Sequence, residues 1–179
     1  MKNKKEYAFL LGLISLGIVF GILSKAGDVS VQGNFLGNMF FAFGQVSSGV
    51  FIWISICTVI SVLSINKFWS AINVLFFLAA MILAYYLYSH FIVGYLVMRI
   101  VKFWLVMLIP SLVLAFIIWH IKTNKILKYV LIAAGTVIML FDMFIIQGVL
   151  VFAVIIDVVL YAMFLASILS SRPPCTPEN

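Results

Sequence analysis

Charge is what this sequence has least of. Charged residues fill 9% of its 179 positions, against about 25% in a typical soluble domain. Only five of them are acidic. Glu6, Asp28 and Glu178 fall at the ends or in a polar loop, which leaves Asp142 and Asp157 as the only acids within apolar runs. With 66% hydrophobic residues and a mean hydropathy of +1.29, there is too little polar surface to cover a water-soluble core. That excludes a soluble domain and leaves a polytopic membrane protein whose solvent is lipid.

Other absences narrow the chemistry. Of two cysteines, Cys57 lies in an apolar run and Cys175 in the tail; this is neither a disulfide framework nor a metal spacing. Cys175 is also one position too far from the end for a prenylation box. His90 and His120 are expected at opposite membrane faces, where they cannot share a metal. No Walker, Gly-x-Ser-x-Gly or His-Glu-x-x-His motif occurs, so neither enzymatic activity through a familiar motif nor a cofactor is expected. The net charge of +6 comes from basic residues scattered in ones to threes between apolar runs. That is how topology determinants look, not a nucleic-acid surface.

What is present is a series of apolar runs, six of them near the roughly 20 residues that cross a 30 Å hydrocarbon core. They are Tyr7–Ser24, Ser47–Ser64, Phe68–Ser89, Phe103–His120, Lys128–Ile146 and Gly148–Ser170. Being continuously apolar rather than alternating, they predict helices, because lipid offers no partner for free backbone groups. The fold expected is an all-α polytopic bundle: one six-span domain over residues 1–171 and a short irregular tail over 172–179. Tyr7–Leu23 exceeds the roughly 7–15 residues of a signal-peptide core, so it reads as an uncleaved first helix. Lys2, Lys4, Lys5, Lys67, Lys122, Lys125, Lys128 and Arg172 fall on one side, and Lys25, Arg99 and Lys102 on the other. Eight against three places both termini in the cytoplasm, as a multi-pass protein of a bacterial cell membrane.

Two connections stand out. Lys25–Val46 is rich in glycine and phenylalanine, and within it Phe35–Phe43 is too short to span. It reads as an interfacial or re-entrant piece, or as a loop capping the bundle. His90–Lys102, broken by Gly94, Arg99 and Lys102, either extends the fourth span outward or lies along the interface.

A carboxylate at mid-membrane costs about 2.5–3.5 kcal/mol. Asp157, nine residues after Gly148, lies roughly 14 Å deep. The fourteen Leu, Ile, Val and Phe residues of its span carry insertion easily at about −0.3 to −0.6 kcal/mol each. Either it bonds within the protein, with Tyr161 one turn later on its face, or it faces a cavity as a proton-linked or ligand-binding group. Asp142, roughly 7 Å in, is expected either to pair with Arg99 or Lys102 or to contact a ligand. With Gln147 and Tyr86 at the same outer mouth, the candidate ligand-binding set is Asp142, Asp157, Arg99, Gln147 and Tyr86, against the plainer alternative of an interfacial aromatic belt. Gly17 and Gly21 form a Gly-x-x-x-Gly pair, a helix-contact face toward this chain or a partner. Pro110 predicts a kink in the fourth span, with a freed carbonyl for Ser111 or a neighbour to satisfy.

Six spans, inward termini and a long glycine-aromatic loop after the first span resemble the substrate-binding S components of energy-coupling-factor transporters. The resemblance implies a small-molecule pocket in the outer halves of the later helices, with Lys25–Val46 as its lid. It further implies Gly17 and Gly21 as a face for a membrane coupling subunit that works with an ATPase. The family builds that face on alanines, a departure here, and no vitamin-specific signature is present. Ser48–Tyr86, with Gly49, Trp53 and Tyr85-Tyr86, also looks like a family of short six-span bacterial proteins of unknown function. The rival expectation is an accessory, immunity or assembly protein that acts by helix–helix contact.

Overall fold

The computed structural model describes residues 2–95, 98–146 and 151–171. Regular structure among them is entirely helical: α1 Lys2–Asp28, α2 Phe35–Ser48, α3 Phe51–Leu63, α4 Lys67–Tyr88, α5 Met98–Trp119, α6 Lys125–Phe141 and α7 Val151–Ser170. Five stretches are long and apolar enough to cross a membrane: Lys4–Asp28, Lys67–Val93, Trp104–Lys122, Lys125–Ile145 and Val151–Ser170. A sixth is added if α2 and α3, bent by 74° at their junction, count as one broken span. The chain is a membrane-embedded helical protein.

The first span and last four match the apolar runs closely, since length and hydropathy alone fix them. The second does not. Where Ser47–Ser64 predicts one span, the helix starts only at Phe51, and its 13 residues rise about 20 Å. Nor is Lys25–Val46 a loop. α1 runs on to Asp28, and α2 takes up Phe35–Ser48 behind an Asn34 cap whose side chain accepts from Gly37 N at 2.6 Å. The connection 90–102 is shared between its neighbours: a π-helical turn, Ser89–Val93, prolongs α4, and α5 begins at Met98.

Lipid removes most of the hydrophobic drive for helices to associate, so close backbone approach and interhelical hydrogen bonds matter more. α1 and α4 run parallel, from Tyr7 against Trp69 (5.6 Å between centroids) to Lys25 Nζ over the Tyr85 ring (5.0 Å). Gly17 and Gly21 form their seam. A Cβ on Gly17 would lie 2.5 Å from Phe77 O, and one on Gly21 would collide with Met81 O. The Gly-x-x-x-Gly face is therefore spent inside the chain. α1 meets α2 in the same way, where Gly27 and Gly44 cross so closely that a Cβ on Gly27 would sit 2.7 Å from Gly44 N. From that crossing α2 reaches over to α7, with Phe35 edge-on to Phe152 (5.5 Å) and Ala42, Val46, Ile52 and Ala153 buried together. It lies across the Lys25 end of the bundle.

The opposite end gathers lysines at helix C-termini. Lys122 Nζ donates to Ser64 O beyond α3 (2.7 Å), and Lys128 Nζ to Ser171 O beyond α7 (2.9 Å). Each cation meets carbonyls that have no intrahelical partner and the negative pole of a helix. Pro110 sits inside α5, and Ser111 Oγ donates to Leu108 O at 2.6 Å.

The glycine seam makes a direct prediction. Gly21→Leu should destabilise the bundle by about 1–3 kcal/mol or more, the usual cost of overpacking. Gly12→Leu, where a Cβ meets nothing within 4 Å, should be close to neutral. Thermal unfolding in detergent measures both; equal midpoints would contradict the α1–α4 packing.

Candidate functional site

The break between α2 and α3 sets the site. A helix start in an apolar interior leaves backbone N–H groups that need acceptors. α2, α4 and α6 start at exposed positions and carry local N-caps, Asn34, Asn66 and Asn124. α3 has no such cap, because its N-cap position is Val50, which has no polar side chain to offer. Its acceptor comes from elsewhere: Asp142 Oδ2 takes the Phe51 N–H at 2.5 Å. A Cβ on Gly49 would lie 2.7 Å from that oxygen, so only glycine lets the carboxylate reach the helix end. The negative group also sits at the positive pole of α3.

Asp142 thus meets backbone rather than a pocket. The expected choice between an ion pair and a ligand contact omitted this third partner. Its Oδ1 has no hydrogen-bond partner among the described residues. Asp157 is 1% exposed, on the face of α7 that also buries Ala153, Phe164 and Ile168. It therefore points into the protein and not at lipid. The Tyr161 hydroxyl, foreseen as its local partner, meets Thr136 Oγ1 at 2.7 Å. Arg99 belongs to the first turn of α5, and Gln147 lies outside the described residues. Among the described residues, no group of three His, Cys, Asp or Glu side chains is placed to hold a metal.

Tyr86 lines a cavity. A chamber of about 220 Å³ lies beneath the C-terminal end of α2, walled by Ser24, Ser47, Ser48, Trp53, Tyr85 and Tyr86. Neither Asp142 nor Asp157 lines it. Its rim is ordered by hydrogen bonds: Ser24 Oγ to Ser47 Oγ at 2.6 Å, and Tyr85 Oη donating to Asp28 Oδ2. Two of its lining residues, Tyr86 and Trp53, carry donors (Oη–H and Nε1–H) that are enclosed by protein atoms and have no protein partner among the described residues. Through Trp53, Met81, Ile82 and Trp104 the chamber adjoins a second cavity of about 470 Å³ between α3, α4 and α5.

Ser24, Ser47, Ser48, Trp53 and Trp104 were not foreseen as site residues. A signal for some of them exists: Trp53 lies within a span rather than at its end, where aromatic belts place Trp, and Ser47-Ser48-Gly49 interrupts an apolar stretch. What the sequence does not carry is that a bend folds these two features around one space. No protein-family model, curated protein or solved structure matches the chain.

Removing the Asp142 cap leaves a buried donor at the start of α3, a loss of about 1–3 kcal/mol. Asp142→Ala should lower the unfolding midpoint and speed hydrogen exchange at the Phe51 amide. Asp142→Asn keeps an acceptor oxygen and should restore most of both. An alanine variant as protected and as stable as the native chain would refute the cap.

Proposed function

We propose that this chain is a six-span protein of a bacterial cytoplasmic membrane, with α2 and α3 as one broken span and both termini in the cytoplasm, and that it binds a small molecule in the chamber beneath α2. The observation that carries the binding reading is the pair of buried donors on one cavity wall. Each donor left without an acceptor costs about 1–3 kcal/mol, and a small turn of each ring toward the chamber lets a guest oxygen offset that cost. The orientation follows from the lysines: Lys67, Lys122, Lys125 and Lys128 belong to the end where α1 starts, and Lys25 to the other. By the positive-inside rule the first is cytoplasmic, which puts α2 and the chamber at the outer side.

In this reading the protein is the solute-binding part of a transport assembly, similar in plan to an S component, with α2 as a helical cap where a loop was expected. A coupling subunit and its ATPase would have to dock on a face other than Gly17 and Gly21, which α4 covers. The same burial deprives the rival reading, an accessory protein working by helix contact, of the glycine face that the sequence offered it.

Two experiments test this. Alkaline phosphatase fused at the C-terminus should be inactive, and inserted after Val31 it should be active; the reverse pattern inverts the topology. Protein purified in lipid nanodiscs should yield a bound small molecule by mass spectrometry. The double variant Trp53→Phe, Tyr86→Phe, which leaves an aromatic ring at each position and removes both donors, should carry about tenfold less, matching roughly 1.4 kcal/mol. Identical extracts from the two proteins would remove the chamber as a binding site.

A further inference from the structure

The two adjoining cavities differ in chemistry. The smaller is walled by hydroxyls and ring donors. The larger is walled by apolar and sulfur side chains such as Cys57, Leu78, Met107, Leu108 and Leu114. They share Trp53, Met81, Ile82 and Trp104, so one molecule reaching past these four side chains would meet a polar wall at one end and an apolar wall at the other. Resting on the binding reading above, we propose that the ligand is an uncharged amphiphile. Its head carries hydrogen-bond-accepting oxygen and occupies the chamber beneath α2; its hydrocarbon or aromatic body occupies the space between α3, α4 and α5.

Three observations select this class. No Lys, Arg, His, Asp or Glu lines either cavity among the described residues, so a charged head would lose its hydration with no counter-ion to replace it. The Trp53 indole nitrogen is a donor only; turned toward the chamber together with the Tyr86 hydroxyl, it calls for an accepting oxygen such as a carbonyl, a quinone or an alcohol. The third concerns access. The larger cavity reaches the side of the bundle at Val50, 50% exposed, at Met107, 39% exposed, and at Pro110, midway along α5. That side faces hydrocarbon in a membrane, so a molecule dissolved in the bilayer has a direct path. At about 470 Å³ the larger cavity alone is within the roughly 300–1,000 Å³ of small-molecule sites, and flexible Met81 and Met107 adapt its shape.

Cys57 lines the apolar part and supplies the test. With Cys175→Ser it becomes the only thiol, and its alkylation by N-ethylmaleimide is followed in nanodiscs. A decyl-substituted benzoquinone should slow the reaction at least tenfold at saturation. Decyl phosphate, with the same tail and a charged head, should slow it less than twofold, and so should decane, which has no head. Trp53→Phe, Tyr86→Phe should raise the half-protecting quinone concentration about tenfold. As a second readout, independent of thiol reactivity, a tail-brominated decanol should quench Trp53 and Trp104 fluorescence saturably, and the benzoquinone should compete with it.

Equal effects from all three decyl compounds would overturn the proposal, marking the space as a lipid-filled groove. Protection by decyl phosphate alone would overturn the uncharged head. Stabilisation by a water-soluble solute, with neither readout moved by the amphiphiles, would reject this ligand class and leave ligand binding standing. If no compound of either kind moves a readout, both readings fall.

Discussion

The structure hangs on one constraint: a helix that begins in an apolar interior must find an acceptor for its first N–H groups. Three helices that start at exposed positions carry an asparagine cap of their own. The start of α3 borrows Asp142 from the end of α6, 91 positions along the chain. That contact makes the break between α2 and α3 tolerable, and the break makes the chamber. Ser47 and Ser48 end one helix, and Trp53 lies in the first turns of the next. On a straight helix they would be strung along a single rod. Bent by 74°, the two pieces form a roof and a wall over Tyr85 and Tyr86. The acid that first draws the eye thus shapes the site from outside it.

Polar groups elsewhere follow the same economy of partners. Buried hydroxyls bridge helices, as Ser24 to Ser47 and Thr136 to Tyr161, or return to backbone, as Ser70 to Ala115 O. Asn73 Nδ2 reaches Ser64 Oγ at 3.0 Å, and Lys122 takes the carbonyl of that same Ser64. α3, the shortest α-helix among the described residues, is therefore pinned at both ends by side chains distant in sequence: an anion at its N-terminus and a cation at its C-terminus. Both charges complement its dipole. A segment too short to span alone is held by charge at both of its ends.

How far these features were legible in sequence follows from their physics. Five of the six expected spans are readable because insertion depends on summed hydropathy, a local property. The second differs because hydropathy summed over a span absorbs a short polar break: Ser47-Ser48-Gly49 is flanked by apolar residues, and the backbone turns at Gly49. Phe35–Phe43 was rightly seen as too short to cross, yet its helical form depends on the Asn34 cap and on the Gly27–Gly44 crossing, a contact between elements. Asp142 was singled out by cost alone, and cost does not name a partner. The partner the structure shows is a backbone group, invisible to any count of side chains. Tyr86 was found by its position near a span end, whereas the serines opposite it needed the bend to become neighbours.

The parallel pairing of α1 with α4 also fixes an order of events. Gly17 and Gly21 meet Phe77 and Met81, residues made some sixty positions later. At about 5–20 residues per second of synthesis, the first helix waits on the order of 3–12 s for its neighbour. During that time its bare glycine stripe lies open in the bilayer. The second helix is already tethered at Gly27 before the fourth emerges. The nascent chain is thus a half-built bundle with a vacant berth, and whatever shields that stripe meanwhile, lipid or insertion machinery, must yield to α4.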